Sequence, residues 1–257
     1  MGPKTDVLEQ MQAVDRLVRR PGDLAALVAK GGDEAAVLST IDARRLDAVG
    51  RMQALLTLGR WWQPRFPAAV ESLTGDRPQE ELALALVGTA SFELAEGEDV
   101  KGTAFVLGAL ELAKSGALGD DKPWLEELLA YEYLLAVGLP RRAQGEAVDE
   151  ALEKRLLGKR TRWFEGGRLA RKLVALTVTW PVSDWHEGIV EDDEPAPLVH
   201  MLAVVDDEVT EVEAPGQAID VLHALAAGGD DKAVAAKVGK KNAARILGWM
   251  REAEMLR

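Results

Sequence analysis

The stretch Leu173-Val174-Ala175-Leu176-Thr177-Val178-Thr179-Trp180-Pro181 decides how the chain reads. Val174, Leu176, Val178 and Trp180 alternate with Leu173, Ala175, Thr177 and Thr179. A period of two predicts a β-strand, and Pro181 ends it because proline cannot donate to a ladder. Toward the C terminus, residues 198–205 predict a second strand, Asp206-Asp207 a two-residue hairpin turn, and residues 208–213 a third strand. Pro215 suits the first turn of a helix with Ala218, Val221, Leu222 and Leu225 on its apolar face. Gly228-Gly229 ends that helix. Asp230 or Asp231 caps a short one that stops at Gly239, and a last helix from about residue 241 to 256 turns Ile246, Leu247, Met250 and Ala253 inward.

Toward the N terminus the period becomes helical. Leu8, Met11, Val14, Leu17 and Val18 recur at helical spacing until Arg19-Arg20-Pro21-Gly22. A short helix fills residues 24–29. A longer one over 42–62 buries Leu46, Val49, Leu55, Leu58 and Trp62, and Pro64 and Pro67 interrupt it. Further helices are expected over 79–96, 100–115 and 123–137. Between Lys154 and Lys172 stand eight basic residues against Glu165 alone, with Gly166-Gly167 inside, the composition of a solvated connector. The expected organisation is therefore mainly α with a smaller α+β C-terminal domain: a helical domain over 1–157, a basic linker over 158–171, and a three-strand, three-helix, winged-helix-like domain over 172–257.

The 257 residues are 47% apolar and 29% charged, the mix of a globular protein with material for a core. No run approaches the roughly 18 apolar residues of a membrane helix, and the first residues lack the apolar segment of a secretory signal. Cysteine is absent, which excludes disulfide scaffolds and thiolate chemistry and fits a cytoplasmic protein. The net charge is -12, and its placement is uneven. Asp184 to Glu213 holds 11 acidic residues and no Lys or Arg. Such a stretch repels phosphates, so tight nucleic-acid binding there is not expected, and without a membrane-length apolar run no membrane partner is either; a partner with a basic face is.

No catalytic or phosphate-binding motif is present: no G-x-S-x-G, Walker loop, H-E-x-x-H or G-x-G-x-x-G. The chain has three histidines. His186 in Asp184-Trp185-His186-Glu187 offers one imidazole beside carboxylates, short of a metal site, and reads as a polar loop anchored by Trp185. His200 and His223 read as structural. Glu126, Glu127 and Glu132 fall on a predicted helix and read as its solvated face, although carboxylates of this kind can do acid–base work. No catalytic residue and no metal ligand is assigned.

Four strings, in order, carry a resemblance. The first is Leu46 through Arg51 to Leu58, then Arg65-Phe66-Pro67-Ala68-Ala69-Val70 and Leu73. The second is Pro123-Trp124-Leu125-Glu126-Glu127-Leu128 running to Glu132. The third is the strand ending in Trp180-Pro181-Val182 with Trp185, and the fourth is Val209, Val212, Leu222 and Gly228. Together they resemble the bacterial family long labelled as DNA-binding domains, the MbnC-like accessory subunits. The resemblance implies a non-catalytic accessory subunit without a cofactor of its own. Its partner would be a multinuclear non-haem iron enzyme with a TIM-barrel fold. That enzyme modifies a ribosomally made precursor peptide, and the accessory chain recruits the peptide. By that resemblance the peptide adds as a strand along Glu208, Val209, Thr210, Glu211, Val212 and Glu213, over a groove floored by Ile246, Leu247 and Met250. An edge strand has unpaired backbone groups that such a peptide satisfies. Trp61, Trp62, Phe66 and Trp124 are candidate anchors for the partner enzyme, since aromatic side chains concentrate at interfaces; the alternative is that they fill the core. A winged-helix DNA-binding regulator is the competing reading, with Lys240, Lys241, Arg245 and Arg251 available to a groove.

Overall fold

The computed structural model describes residues 17–18, 23–31, 35, 38–93, 95, 97–117, 122–189, 195 and 197–257. The helix expected through Leu8, Met11 and Val14 and the acidic residues 191–194 lie outside them. The chain forms two compact units, Met1–Asp121 and Lys122–Arg257. The described structure is mainly helical, with one four-stranded antiparallel sheet in the C-terminal part. No helix among the described residues is long and apolar enough to cross a membrane.

In the first unit the helices are α1 (Asp23–Ala29), α2 (Ala43–Thr57), α3 (Pro67–Thr74), α4 (Gln79–Val87), α5 (Ala90–Glu93) and α6 (Thr103–Ser115). Asp42 caps α2 by accepting from the backbone N–H groups of Arg44 and Arg45 at 2.9 and 3.4 Å. The inward stripe of α2 steps by four residues through Leu46, Ala54 and Leu58, all buried, so Val49 and Leu55, expected inside, are 42% and 38% exposed. The helix runs straight into a π-turn, Leu58–Trp62, which delivers Trp62 into the core. There the Trp62 ring meets Phe92 and Phe105 at 5.7 and 5.6 Å, and Phe105 stacks on Phe66 at 4.6 Å. Its indole N–H donates to the Val100 carbonyl at 2.8 Å, so this buried polar atom is satisfied.

The second unit begins with one interrupted helix: α7 (Leu125–Tyr133), a π-turn (Leu134–Gly138) and α8 (Leu139–Ala143). A Cβ on Gly138 at this turn would stand 3.0 Å from the Tyr133 ring, so a larger residue there would crowd that ring. After α9 (Glu150–Leu156) come β1 (Thr161–Phe164), β2 (Leu173–Val178), α10 (Val182–His186), β3 (Leu198–Val205) and β4 (Glu208–Pro215). The chain closes with α11 (Ala218–Ala226), α12 (Asp231–Val238) and α13 (Lys240–Glu252). The strands pair antiparallel in the order β1-β2-β3-β4, which leaves β1 and β4 as edges.

Both faces of this sheet are covered. Leu173, Ala175, Val199, Met201, Val212 and Ala214 share one core with α11, α12 and α13. The other face carries the alternate residues, and α8 packs against β3 and β4 there. Double coverage explains why β2 and β3 are nearly continuous apolar runs. It also places residues 122–157 in the same compact unit as the sheet, whereas a helical domain reaching 157 was expected.

The expected connector over 158–171 is a folded segment. Thr161–Phe164 is a fourth strand, and Leu169 is buried and bridges to Leu256. Three of its cations are engaged, two of them in ion pairs: Arg160 with Glu126 at 3.2 Å, and Arg168 with Asp231 at 2.7 Å. Arg171 donates to the Val204 carbonyl at 3.1 Å. Hydrogen bonds from Arg168 and then Arg251 hold the Asp231 carboxyl below the usual carboxylate range. A charge run that reads as solvated can equally be one half of a set of ion pairs, and composition does not separate the two.

Candidate functional site: the β4 edge and the polar cluster behind it

Asp206 and Asp207 have φ of 50° and 69°, a type I′ pair of left-handed residues. In such a hairpin the flanking residues, Val205 and Glu208, exchange both backbone hydrogen bonds, and bonded and non-bonded pairs alternate from there. Glu208, Thr210, Val212 and Ala214 therefore direct their N–H and C=O groups at β3, while Val209, Glu211 and Glu213 direct theirs outward. Pro215 falls on the outward parity, where its missing N–H costs no ladder bond. Among the described residues no backbone hydrogen bond uses the outward groups of Val209, Glu211 or Glu213.

The side chains of the outward residues lie on the sheet face away from the core shared with α11–α13. There a partly buried polar cluster forms. Glu211 accepts from the Tyr131 hydroxyl at 2.5 Å through one oxygen and from His200 Nδ1 at 2.5 Å through the other. His200 is fully buried, and its Nε2 has no hydrogen-bond partner. The Tyr131 ring lies 5.1 Å from the His200 ring and 5.7 Å from the His186 ring. His186 Nδ1 stands 2.8 Å from Glu132, which is fully buried on α7. Ser183 on α10 donates to Glu213 at 2.9 Å. Burial first, and then the Glu211 carboxylate, pushes the Tyr131 phenol far above its ordinary range, so it stays a donor. Burial and Glu153 do the same to Tyr133.

This arrangement corrects several sequence expectations. Glu132 is no part of a solvated face; it is the buried partner of His186. Glu127 accepts from the backbone N–H groups of Thr179 and Trp180 at 2.7 and 3.2 Å, fixing the end of β2. His186 lies on a short helix, not in a loop, and Trp185 meets Trp124 at 5.3 Å. His200 has a carboxylate neighbour after all, two residues along the facing strand from its register partner Glu213. His223 packs on Phe164 at 5.0 Å. Sequence spacing missed the cluster because its members come from α7, α10, β3 and β4, which only the sheet brings together. The one local signal was a polar residue, His200, inside an apolar strand.

The proposed groove floor is not open: Ile246, Leu247 and Met250 are buried in the core with Val212. On α13 the half-buried aromatic is Trp249, with the Arg245 guanidinium 5.1 Å over its ring. Of the candidate docking aromatics, Trp62 and Phe66 fill the first unit's core and Trp124 is half-buried against Trp185. Trp61 is half-exposed, with Arg60, Arg65 and Lys101 at 4.9, 5.3 and 4.4 Å from its ring. Among the described residues no three His, Asp or Glu side chains are grouped to hold a metal ion. No family model, no curated protein and no solved structure matches the chain.

Proposed function

We propose that this chain is a non-catalytic accessory subunit that takes a ribosomally made precursor peptide as an added strand on β4 and presents it to a multinuclear non-haem iron enzyme in the cytoplasm. In this reading β2–β4 with α11–α13 act as a winged-helix-like peptide-recognition module, and the iron belongs to the partner. The observation that carries it is the open β4 edge, with three outward residues spaced two apart on a strand packed on one face by the core of α11–α13 and on the other by α8 and the polar cluster. Three outward residues span roughly 13 Å of strand, room for about four to six ladder bonds to an extended peptide. The exposed Glu208 and Glu213 favour a basic peptide. The regulator reading has less support, because the cations of α13 are partly engaged: Arg251 pairs with Asp231 at 2.9 Å, and Arg245 covers Trp249.

The test is fluorescence anisotropy with a labelled synthetic peptide of alternating Val and Lys, an extended basic strand. Wild type should bind it. Val209→Pro, which deletes an outward donor and no charged side chain, should fold and lose most of the affinity. Glu213→Pro, which deletes a second outward donor together with the carboxylate bonded by Ser183, should lose more than Glu213→Gln. Unchanged binding by both variants would place the peptide elsewhere, and tight binding of duplex DNA instead would favour the regulator.

A further inference from the structure

Glu211 stands at the centre of the open edge, yet its carboxylate points away from any incoming strand and has both oxygens occupied. A carboxylate only accepts, so the proton on the His200–Glu211 bond sits on Nδ1. The opposite tautomer would place an N–H at Nε2, which is buried without an acceptor. The Tyr131 hydroxyl donates to Glu211. Tyr131 is in turn held between two imidazoles, each keyed to a carboxylate: His200 to Glu211, and His186 to the buried Glu132. Rotamers fixed in this way by packing and hydrogen bonds preorganise the backbone that carries them.

We propose that Tyr131 and His200 clamp Glu211, holding the middle of the β4 edge ready for strand addition, and that this removes Glu211 from charge recognition. Glu208 and Glu213 are then the acidic side chains that read the incoming chain. Tyr131 and His200 are positioning residues; the specificity belongs to Glu208 and Glu213. Ser183 uses one oxygen of Glu213 and leaves the other to a ligand. A peptide with Lys or Arg opposite Glu208 or Glu213 is favoured, and one with its basic residue opposite Glu211 gains nothing. The inference rests on the strand-addition reading, but the clamp itself is a property of the chain without ligand.

Two measurements on the full chain test it. Backbone relaxation dispersion without peptide reads the clamp alone: residues 209–213 should be quiet in wild type and show exchange in Tyr131→Phe, which keeps the ring and deletes the donor. Anisotropy with the labelled peptide of alternating Val and Lys, titrated against salt, reads the consequence. Tyr131→Phe should weaken binding about three- to tenfold, the cost of ordering one or two side chains at an interface. Glu213→Gln should flatten the salt dependence, whereas Glu211→Gln, which can keep one hydrogen bond, should leave its slope unchanged. A quiet edge in Tyr131→Phe overturns the clamp. An equal loss of slope in Glu211→Gln and Glu213→Gln overturns the division of labour. If wild type binds no peptide, the strand-addition reading fails, and the relaxation result still decides whether the clamp exists.

Discussion

The Leu225 carbonyl oxygen lies 2.1 Å from the place a Cβ on Gly167 would occupy. No side chain, not even a methyl, fits between this turn and the end of α11, where Ala226 O and Gly228 N are also within 2.7 Å of that position. Gly167 has φ of +54°, and the neighbouring Arg168 N–H donates to the same Leu225 oxygen at 3.0 Å. Gly167→Ala should therefore cost about 3 kcal/mol or more, from backbone displacement added to left-handed strain. Gly166, with φ of +82° and open space around its missing Cβ, carries the strain alone, so Gly166→Ala should cost about 1 kcal/mol. Chemical denaturation of the two variants checks this; equal losses would mean the turn is not packed as described.

The chain has two tyrosines, Tyr131 and Tyr133, and both are buried. Burial raises both phenols well above the unfolded value of about 10, so the folded state holds protons that the unfolded state releases. Stability from this source is intact below about pH 10 and falls above it, approaching about 1.4 kcal/mol per pH unit for each tyrosine. Absorbance at the phenolate band should stay flat past pH 10 and then rise in one step together with loss of the helical circular dichroism signal. A gradual rise centred near the free-tyrosine value with the fold intact would contradict the burial of these rings.

Strands β2, β3 and β4, the I′ turn and the three closing helices were legible because each rests on a local signal: period two, a pair of turn-forming residues, or an apolar stripe between caps. Strand β1 was not, since Thr161–Phe164 is four residues long and sits in a run of cations whose partners lie 30 or more residues away in the case of Arg160 and Glu126. Coverage of the sheet's second face by α7 and α8 was hidden for a related reason. An apolar strand fits a sheet buried on both sides, but its composition does not name the segment that buries it. The edge position of β4 was legible as an unpaired last strand. The groove floor was not: Ile246, Leu247 and Met250 have the right spacing for an apolar face, and spacing cannot say whether that face meets its own core or a ligand.

Trp61 and Trp62 are adjacent in sequence and opposite in circumstance. Trp62 is fully buried, satisfies its N–H on Val100, and touches two phenylalanine rings. Trp62→Ala should cost about 3–5 kcal/mol of the first unit's stability. Trp61 has cations on its face and part of its surface in water. Trp61→Ala should cost about 1 kcal/mol, and that loss should shrink in high salt less than an ion pair would, because the cations are attracted by the ring's quadrupole and not by an opposite charge. Urea denaturation followed by circular dichroism separates the two; a similar loss at both positions would mean that the π-turn does not orient them as described.

The parity of β4 makes the last prediction, and it concerns stability without any ligand. Val212 pairs with Met201, and in the alternation that starts at the I′ turn this is a bonded pair. Proline at 212 deletes an inward N–H and leaves the Met201 carbonyl buried without its donor, in the middle of the core that α13 closes. Val212→Pro should cost about 2–4 kcal/mol. Val209 is three residues nearer the turn, with its N–H outward, and proline there removes no ladder bond. Its cost should be limited to the change of φ, about 1 kcal/mol. Amide exchange gives the same contrast without substitution: the N–H groups of Thr210, Val212 and Ala214 should be protected and those of Val209, Glu211 and Glu213 should exchange fast. Protection of all six would mean that something already occupies the β4 edge, and reversed protection would mean that the hairpin register is shifted by one residue, which would turn Glu211 and Glu213 toward the apolar core.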